Sequence, residues 1–482
     1  MDYYDYRIRE AEMSETVPET EPERQYYFMG RLKNLVSARS LEKGRPLTFH
    51  VETFGCQMNA KDSEKLAGIL LAAGLTEKED EEADFVLYNT CTVRENANTR
   101  VYGRVGYLGT LKKKNPEMLI ALCGCMMQEP EAVKKIRESY RQVDLIFGTH
   151  NIYRLAELLV KRMETGSLVV DILKDSKQIV EELPSELKYS FKAGVNIMYG
   201  CDNFCSYCIV PYVRGREKSR RPEDIIRECE TLVSRGVKEI MLLGQNVNSY
   251  GKGLDQPITF SELLHRVSQI PGLSRVRFMT PHPKDLSDEL IEEIASNTKI
   301  CRQIHLPLQC GSDRILKKMN RKYRKEDYLT LVRKIRDRIP DVALSTDIMV
   351  GFPGETDEDN AETIDVVRKA RFISAFTFIY SKRNGTPAAK MDCQLTEEEK
   401  NRHFKELLSA VNETVTKEAM LYEGRSMEVL VEEKNEKTGL LTGRLDNNLL
   451  VHFPGPVELL GTICTVKLAE CKGFYYLGEL MN

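Results

Sequence analysis

Three cysteines in Gly200-Cys201-Asp202-Asn203-Phe204-Cys205-Ser206-Tyr207-Cys208 stand in a CxxxCxxC spacing, with an aromatic residue directly before the third. A 4Fe–4S cluster usually takes four thiolates. Three thiolates leave one iron without a protein ligand, and an open metal position is where a substrate or cofactor can bind. The alternative is a set of buried core cysteines, and Asp202, Asn203 and Ser206 make the stretch too polar for that.

Cys56, Cys91 and Cys125 form a second, dispersed set. Each directly follows a strand-like run, as Gly55-Cys56, Thr90-Cys91 and Gly124-Cys125. Residues at the C-terminal ends of parallel strands converge on one crevice, whatever their separation in sequence. Cysteine is also a common core residue, but two of these three follow glycine, which belongs to turns. Cys123 and Cys125 compete at the third strand end. Leu119-Ile120-Ala121-Leu122-Cys123 continues an apolar run, so Cys123 is expected inside the strand. Cys125 then takes the position past the turn.

The elements that must carry these residues follow from periodicity. Residues 1 to about 24 hold eight acidic residues, Asp2, Asp5, Glu10, Glu12, Glu15, Glu19, Glu21 and Glu23, with few aliphatics. Residues 1–45 therefore read as a disordered acidic tail. From 46 to 166, strands at 49–54, 85–89, 119–122 and 145–147 alternate with helical patterns, which predicts an N-terminal parallel α/β domain. After a polar linker, 187–417 contains six strand-like segments at 194–199, 238–243, 275–279, 302–307, 343–350 and 375–380. Six βα units are too few for a closed eight-stranded barrel and suit a partial one. Their ends carry Gly244-Gln245-Asn246, Thr280-Pro281-His282, Gln309-Cys310-Gly311-Ser312 and Gly351-Phe352-Pro353-Gly354-Glu355, where a cavity is expected. Residues 420–482 change to short strands broken by Gly, Asn and Pro, the pattern of a small β-barrel of the kind used for oligonucleotides.

A chain of 482 residues with 41% apolar and 30% charged residues suits a multidomain water-soluble protein. No apolar run reaches the length of a membrane span. Thirteen cysteines without a signal peptide indicate a reducing, cytoplasmic location, where clustered cysteines are metal ligands more often than disulfides. Net charge is −3, so contact with nucleic acid has to rely on local basic surface. Residues 313–338 are one such surface, and Arg214, Arg216, Lys218, Arg220 and Arg221 are another.

The CxxxCxxC loop after the first barrel strand resembles the signature of radical S-adenosylmethionine (SAM) enzymes. The domain order from about residue 47 onward resembles their methylthiotransferase branch. Gly200 to Gly215, Gly244-Gln245-Asn246-Val247-Asn248 and Tyr380-Ser381-Lys382-Arg383-Asn384-Gly385-Thr386-Pro387-Ala388 resemble the MiaB-type tRNA methylthiotransferases. The resemblance implies two 4Fe–4S clusters, one on Cys201, Cys205 and Cys208 with SAM on its open iron, the other on Cys56, Cys91 and Cys125. It implies methylthiolation of carbon-2 of isopentenyl-adenosine at tRNA position 37, and thus the anticodon stem-loop as partner. Gly244, Gln245 and Asn246 would lie against the cofactor, and the C-terminal barrel would be a TRAM-like tRNA-contacting module. An external electron donor and a sulfur donor are implied too, with a monomer as the working unit.

Two alternatives follow from the same residues. Sister branches act on threonylcarbamoyl-adenosine in tRNA or on a ribosomal-protein aspartate; Tyr207 with Pro211-Tyr212 favours isopentenyl-adenosine. A non-catalytic iron–sulfur RNA-binding protein would be expected to complete its clusters with four thiolates. Segment 420–482 has six basic and nine acidic residues, so few phosphate contacts are expected from the barrel, around Arg425 and Arg444.

Overall fold

The computed structural model describes residues 3–14, 16–92, 95–176 and 178–481. The chain divides into two compact units. One comprises residues up to 188 with 199–201 and 209–216; the other comprises 189–198, 202–208 and 217 onward.

The first unit is built on six parallel strands: β1 (Thr48–Thr53), β2 (Thr76–Glu77), β3 (Phe85–Thr90), β4 (Leu119–Gly124), β5 (Leu145–Phe147) and β6 (Val169–Asp171), in the order β2-β1-β3-β4-β5-β6. β3 is buried along its whole length, as a parallel strand covered on both faces should be. Its alternate residues feed two cores. Leu87 joins Phe49, Leu70 and Phe147 on one face, and Val86 and Tyr88 join Val105, Ile120 and Ile136 on the other. β2 and β6 were not anticipated, because two or three residues show no periodicity.

Residues 1–45 correct the expectation of a disordered tail. Helices span Tyr3–Glu12 and Glu23–Lys43, and Ile8, Tyr26, Met29, Leu32 and Val36 belong to the same core as Phe49 and Leu70. Their spacing from 26 onward is helical, a signal hidden by the acidic composition. The acids bind outward-facing arginines, as in Arg7–Glu23 at 2.9 Å. Gly44, at φ +63°, terminates the second helix with the left-handed turn glycine tolerates. Asp2 and Glu15 lie outside the described residues.

In the second unit β7 (Lys192–Asn196) opens the series. The chain continues through β8 (Met198–Tyr199), β9 (Lys218–Ser219), β10 (Glu239–Leu243), β11 (Arg275–Phe278), β12 (Gln303–His305), β13 (Ala343–Val350) and β14 (Ser374–Ile379). The six predicted βα strands are present and parallel, ordered as two three-stranded sheets, β11-β10-β7 and β12-β13-β14. After a helix at Glu397–Met420, β15 (Ser426–Lys434), β16 (Leu441–Leu445), β17 (Leu450–Phe453), β18 (Ile463–Cys471) and β19 (Tyr475–Leu480) close a barrel in the order β15-β16-β17-β19-β18.

β19 escapes a sequence reading because Gly478 interrupts it, and glycine ordinarily weakens a strand. Here a Cβ on Gly478 would meet Val466 Cγ1 at 2.5 Å and Val451 Cγ2 at 2.8 Å, so the barrel interior has no room for one. Two arginines of β11 grip the barrel. Arg275 donates to the carbonyls of Arg444 (3.0 Å) and Glu428 (2.9 Å), and Arg277 to those of Asp446 (2.7 Å) and Leu445 (2.6 Å). Arg277, fully buried, also pairs with Glu239 at 3.0 Å. Among the described residues, no helix is long and apolar enough to cross a membrane.

Candidate metal centres

In the first unit Cys56, Cys91 and Cys125 stand just past the ends of β1, β3 and β4. Cys56 caps the helix Gln57–Ala72 and is exposed, Cys91 follows β3 and is buried, and Cys125 opens a short 3-10 turn. Gly55 and Gly124 permit this. A Cβ on Gly55 would sit 3.0 Å from Cys91 Cβ; one on Gly124, at φ +94°, would overlap the Thr90 carbonyl oxygen at 2.4 Å. Cys123 is still in β4, one residue before its end, and fully buried among the core residues.

Burial pushes the Cys125 thiol up to about 11; Cys91 and Cys56 add to the shift, and Arg214 opposes it. The three sulfurs therefore share one electrostatic neighbourhood. Arg214, only 6% exposed, donates Nε–H to Cys125 Sγ (3.3 Å) and Nη2–H to Asn59 Oδ1 (3.1 Å) and Asp62 Oδ2 (3.0 Å). Asn59 in turn donates to the Thr90 carbonyl (3.0 Å), which ties the helix after Cys56 to the end of β3.

Sequence reasoning placed Arg214 among phosphate contacts, and the structure corrects this. Arg220 is buried too, donating to the Asn196 carbonyl (2.6 Å) and Glu228 (2.7 Å). Arg216 and Arg221 are exposed and Lys218 half-buried. Part of the 313–338 run is engaged in ion pairs: Arg314–Asp359, Lys325–Glu362, Lys334–Asp288 and Arg338–Glu292. In the C-terminal barrel Arg444 is bound to Glu432 at 3.0 Å, while exposed Arg425 lies over the Tyr422 ring.

The CxxxCxxC motif runs through both units, with Cys201 in the first and Cys205 and Cys208 in the second. Cys201 donates its N–H to the Gly215 carbonyl at 3.2 Å, and the Gly200 before it, at φ +74°, could not carry a Cβ against the Arg216 carbonyl oxygen at 2.1 Å. In the second unit Cys208 N–H donates to the Cys205 carbonyl (2.9 Å), closing a turn. Phe204 takes a left-handed φ of +46°, held by Asn320 Nδ2, which donates to the Asn203 (3.2 Å) and Phe204 (2.9 Å) carbonyls. Ser206 accepts from Ala388 N–H (2.8 Å), so Tyr380–Ala388 contributes by seating this loop.

Arg321, 8% exposed, donates to Cys205 Sγ (3.5 Å), the Pro307 carbonyl (2.8 Å) and the Tyr323 hydroxyl (3.0 Å). Burial, with the charges of Arg321 and Lys284, holds the His282 imidazole down to about 2, so it is neutral. Its ring lies 5.8 Å from that of Tyr323. Neither arginine was anticipated as a sulfur partner. Arg214 had the weak signal of a charged run close behind the CxxxCxxC cysteines, whereas Arg321, 116 residues from Cys205, had none.

Gly244 follows β10 and would collide through a Cβ with Met198 Cγ at 2.6 Å. Asn246, fully buried, donates to Asp285 (2.8 Å) and accepts from His282 N–H (3.2 Å); its amide joins two strand-end loops. Gln245, between them, is half-buried.

Burial lifts the nearby Glu217 carboxyl to about 7; Lys252 opposes this, and Asp202 and Asp285 add to it. An unfolded glutamate titrates near 4.5. Between these values the folded state keeps a proton the unfolded state has released, so this group's contribution to stability is lost as pH rises towards 7. Glu217→Gln is expected to melt with the parent at pH 4 and about 1–3 °C higher at pH 8, measured by calorimetry.

No disulfide joins any of the thirteen cysteines. Among the described residues no three or more His, Cys, Asp or Glu side chains converge to hold a single metal ion. A four-iron cluster makes a different demand, one thiolate per iron on separate corners. Three thiols at one sheet end, with a guanidinium directed at one of them, fit that donor set.

Three stretches match family models: residues 48–148 an uncharacterised protein family, UPF0004; residues 195–367 the radical SAM superfamily; residues 421–481 the TRAM domain. A tRNA-2-methylthio-N(6)-dimethylallyladenosine synthase of Lachnoclostridium phytofermentans is 66% identical over 442 residues, 92% of this chain and 97% of the relative. One of the same name from Clostridioides difficile is 52% identical, covering 91% and 92%. Among solved structures, the radical SAM methyltransferase TsrM of Kitasatospora setae, with cobalamin and a [4Fe-4S] cluster bound, aligns with a TM-score of 0.51 at 15% identity. The alignment covers 71% of this chain and 77% of that one, a likeness of fold alone.

Proposed function

We propose, for a chain that belongs to the family of tRNA-2-methylthio-N(6)-dimethylallyladenosine synthases, that six cysteines divide into two cluster-holding sets. The enzyme is a radical SAM methylthiotransferase that adds a methylthio group to carbon-2 of isopentenyl-adenosine in tRNA, using SAM and two 4Fe–4S clusters. Cys201, Cys205 and Cys208 hold the cluster that engages SAM, and Cys56, Cys91 and Cys125 hold the second. The observation that carries this division is the placement of the second set at three adjacent parallel strand ends, with one buried arginine against one sulfur of each set.

The clusters and SAM supply one-electron and radical chemistry, which an aromatic C–H needs because it has no useful acidity near neutral pH. The chain's residues supply position and exclusion of water. Gly200 lets the backbone turn into the first set, and Asn320 and Ala388 fix the 203–206 loop. Asn59 and Arg214 hold the crevice around Cys125. Tyr207, packed against Leu316, Met319 and Phe352, closes the loop's apolar side.

The substrate nucleotide is at position 37 of the anticodon stem-loop, where an unstacked loop base can be reached. A one-electron donor and a sulfur donor act from outside the chain, which works as a monomer in the cytoplasm. Phosphates are met by Arg216 and Lys218, the cations of the 214–221 run with solvent access, joined by Arg221. Each phosphate neutralised adds about 0.7–0.9 to the log–log salt slope. Arg216→Glu with Lys218→Glu is therefore expected to weaken tRNA binding and flatten its salt dependence by one to two such increments; an unchanged slope places the RNA elsewhere. The overall reading is tested by nucleoside mass spectrometry of tRNA from cells lacking the gene. Loss of the methylthio mass from isopentenyl-adenosine is expected, and its persistence refutes the assignment.

A further inference from the structure

One arginine is buried against a single sulfur in each cysteine set, and the two differ in how their charge is balanced. Arg214 has a carboxylate partner, Asp62, at 3.0 Å, itself buried. Arg321 donates only to a sulfur, a hydroxyl and a carbonyl, and the neighbours acting most on its charge are Tyr323, Tyr207 and Cys205. Among the described residues no carboxylate pairs with it. A buried charge without a counter-ion is unfavourable. Arg321 is nevertheless held by three hydrogen bonds, with Tyr323 anchored in turn on the Leu308 carbonyl at 2.7 Å. Its charge therefore awaits an anion on the Cys205 side.

We propose that Arg321 and Arg214 are positioning residues that set the two clusters' reduction potentials unequally. The unbalanced charge of Arg321 raises the potential of the cluster on Cys201, Cys205 and Cys208, whereas Asp62 largely cancels the effect of Arg214 at the cluster on Cys56, Cys91 and Cys125. The inference rests on the assignment of the two cysteine sets given above. A reduced cluster carries one more negative charge than an oxidised one, so a nearby cation and N–H···S hydrogen bonds favour reduction. One electron from the external donor is then directed to the cluster that engages SAM, and the second cluster stays oxidised. The same neutral pairing explains why Arg214 and Asp62 occur together in the buried crevice, where either alone would be an isolated charge.

The test is a dithionite titration of the anaerobically reconstituted full-length enzyme at controlled potential. Each cluster is followed by electron paramagnetic resonance, and the SAM-binding one is identified by its response to added SAM. Arg321→Met is expected to move that cluster's midpoint to a more negative value. The charge-neutral pair Arg214→Met with Asp62→Asn should move the other midpoint by less. An unmoved midpoint in Arg321→Met at full iron content, or a larger shift in the double variant, overturns the proposal. If Arg321→Met fails to hold its iron, Arg321→Gln and Arg321→Lys decide. The neutral variant should shift negative and the charged one stay near the parent; equal midpoints overturn the proposal. Failure of the cysteine assignment would be seen separately, as Cys205→Ala retaining both clusters.

Discussion

Cys205→Ala is expected to abolish formation of 5′-deoxyadenosine from SAM while leaving the fold in place, and Cys201→Ala and Cys208→Ala should do the same. Two thiolates do not retain a redox-competent cubane with an open iron. Cys205 and Cys208 sit in a loop anchored mainly through backbone contacts of its neighbours, Phe204 and Ser206, which the substitutions leave intact. Cys201 is likewise held by its own N–H and the Gly200 turn. Circular dichroism should therefore match the parent while the cleavage product disappears. Parental yields of 5′-deoxyadenosine from any of the three reduced, reconstituted variants would disprove the assignment.

Cys125→Ser and Cys123→Ser should part company just as sharply, although the two residues are two positions apart. Cys123 is packed inside the β4 core, whereas Cys125 lies beyond Gly124 in the crevice shared with Cys91, Cys56 and Arg214. After anaerobic reconstitution Cys123→Ser should retain roughly eight irons per chain, the content of two cubanes. Cys125→Ser should fall towards four, still cleave SAM and lose methylthiolation. Iron analysis with nucleoside mass spectrometry reads both. The opposite pattern would make Cys123 the ligand.

Local sequence carried the cysteine geometry because strand ends and turns are local events. The Gly124 turn separates Cys123 from Cys125, and the end of the apolar run at 119–123 locates it, although period-2 alternation puts both cysteines on one parity. The six βα strands were legible for the same reason, each being a strand-like run that ends in a polar or glycine-rich turn. What failed was either masked or long-range. The acids of residues 1–24 concealed the helical spacing of Tyr26, Met29, Leu32 and Val36, because composition averages over the face that packs. Arg214 and Arg321 contact sulfurs 89 and 116 residues away, and no periodicity records such partners. Charge counting took the basic runs for RNA surface, whereas Arg214 and Arg220 are buried and Arg314 and Arg338 are tied up in ion pairs.

The grip of Arg275 and Arg277 on the C-terminal barrel bears on how truncations would be interpreted. A chain ending near residue 420 would strip four carbonyl acceptors from Arg275 and Arg277 and open both guanidiniums to water. Such a shortened enzyme would lose the support of β11 together with the TRAM domain. Its phenotype would describe a damaged β11 edge as much as a missing barrel, so surface substitutions are the cleaner probe of what the barrel does besides supporting β11.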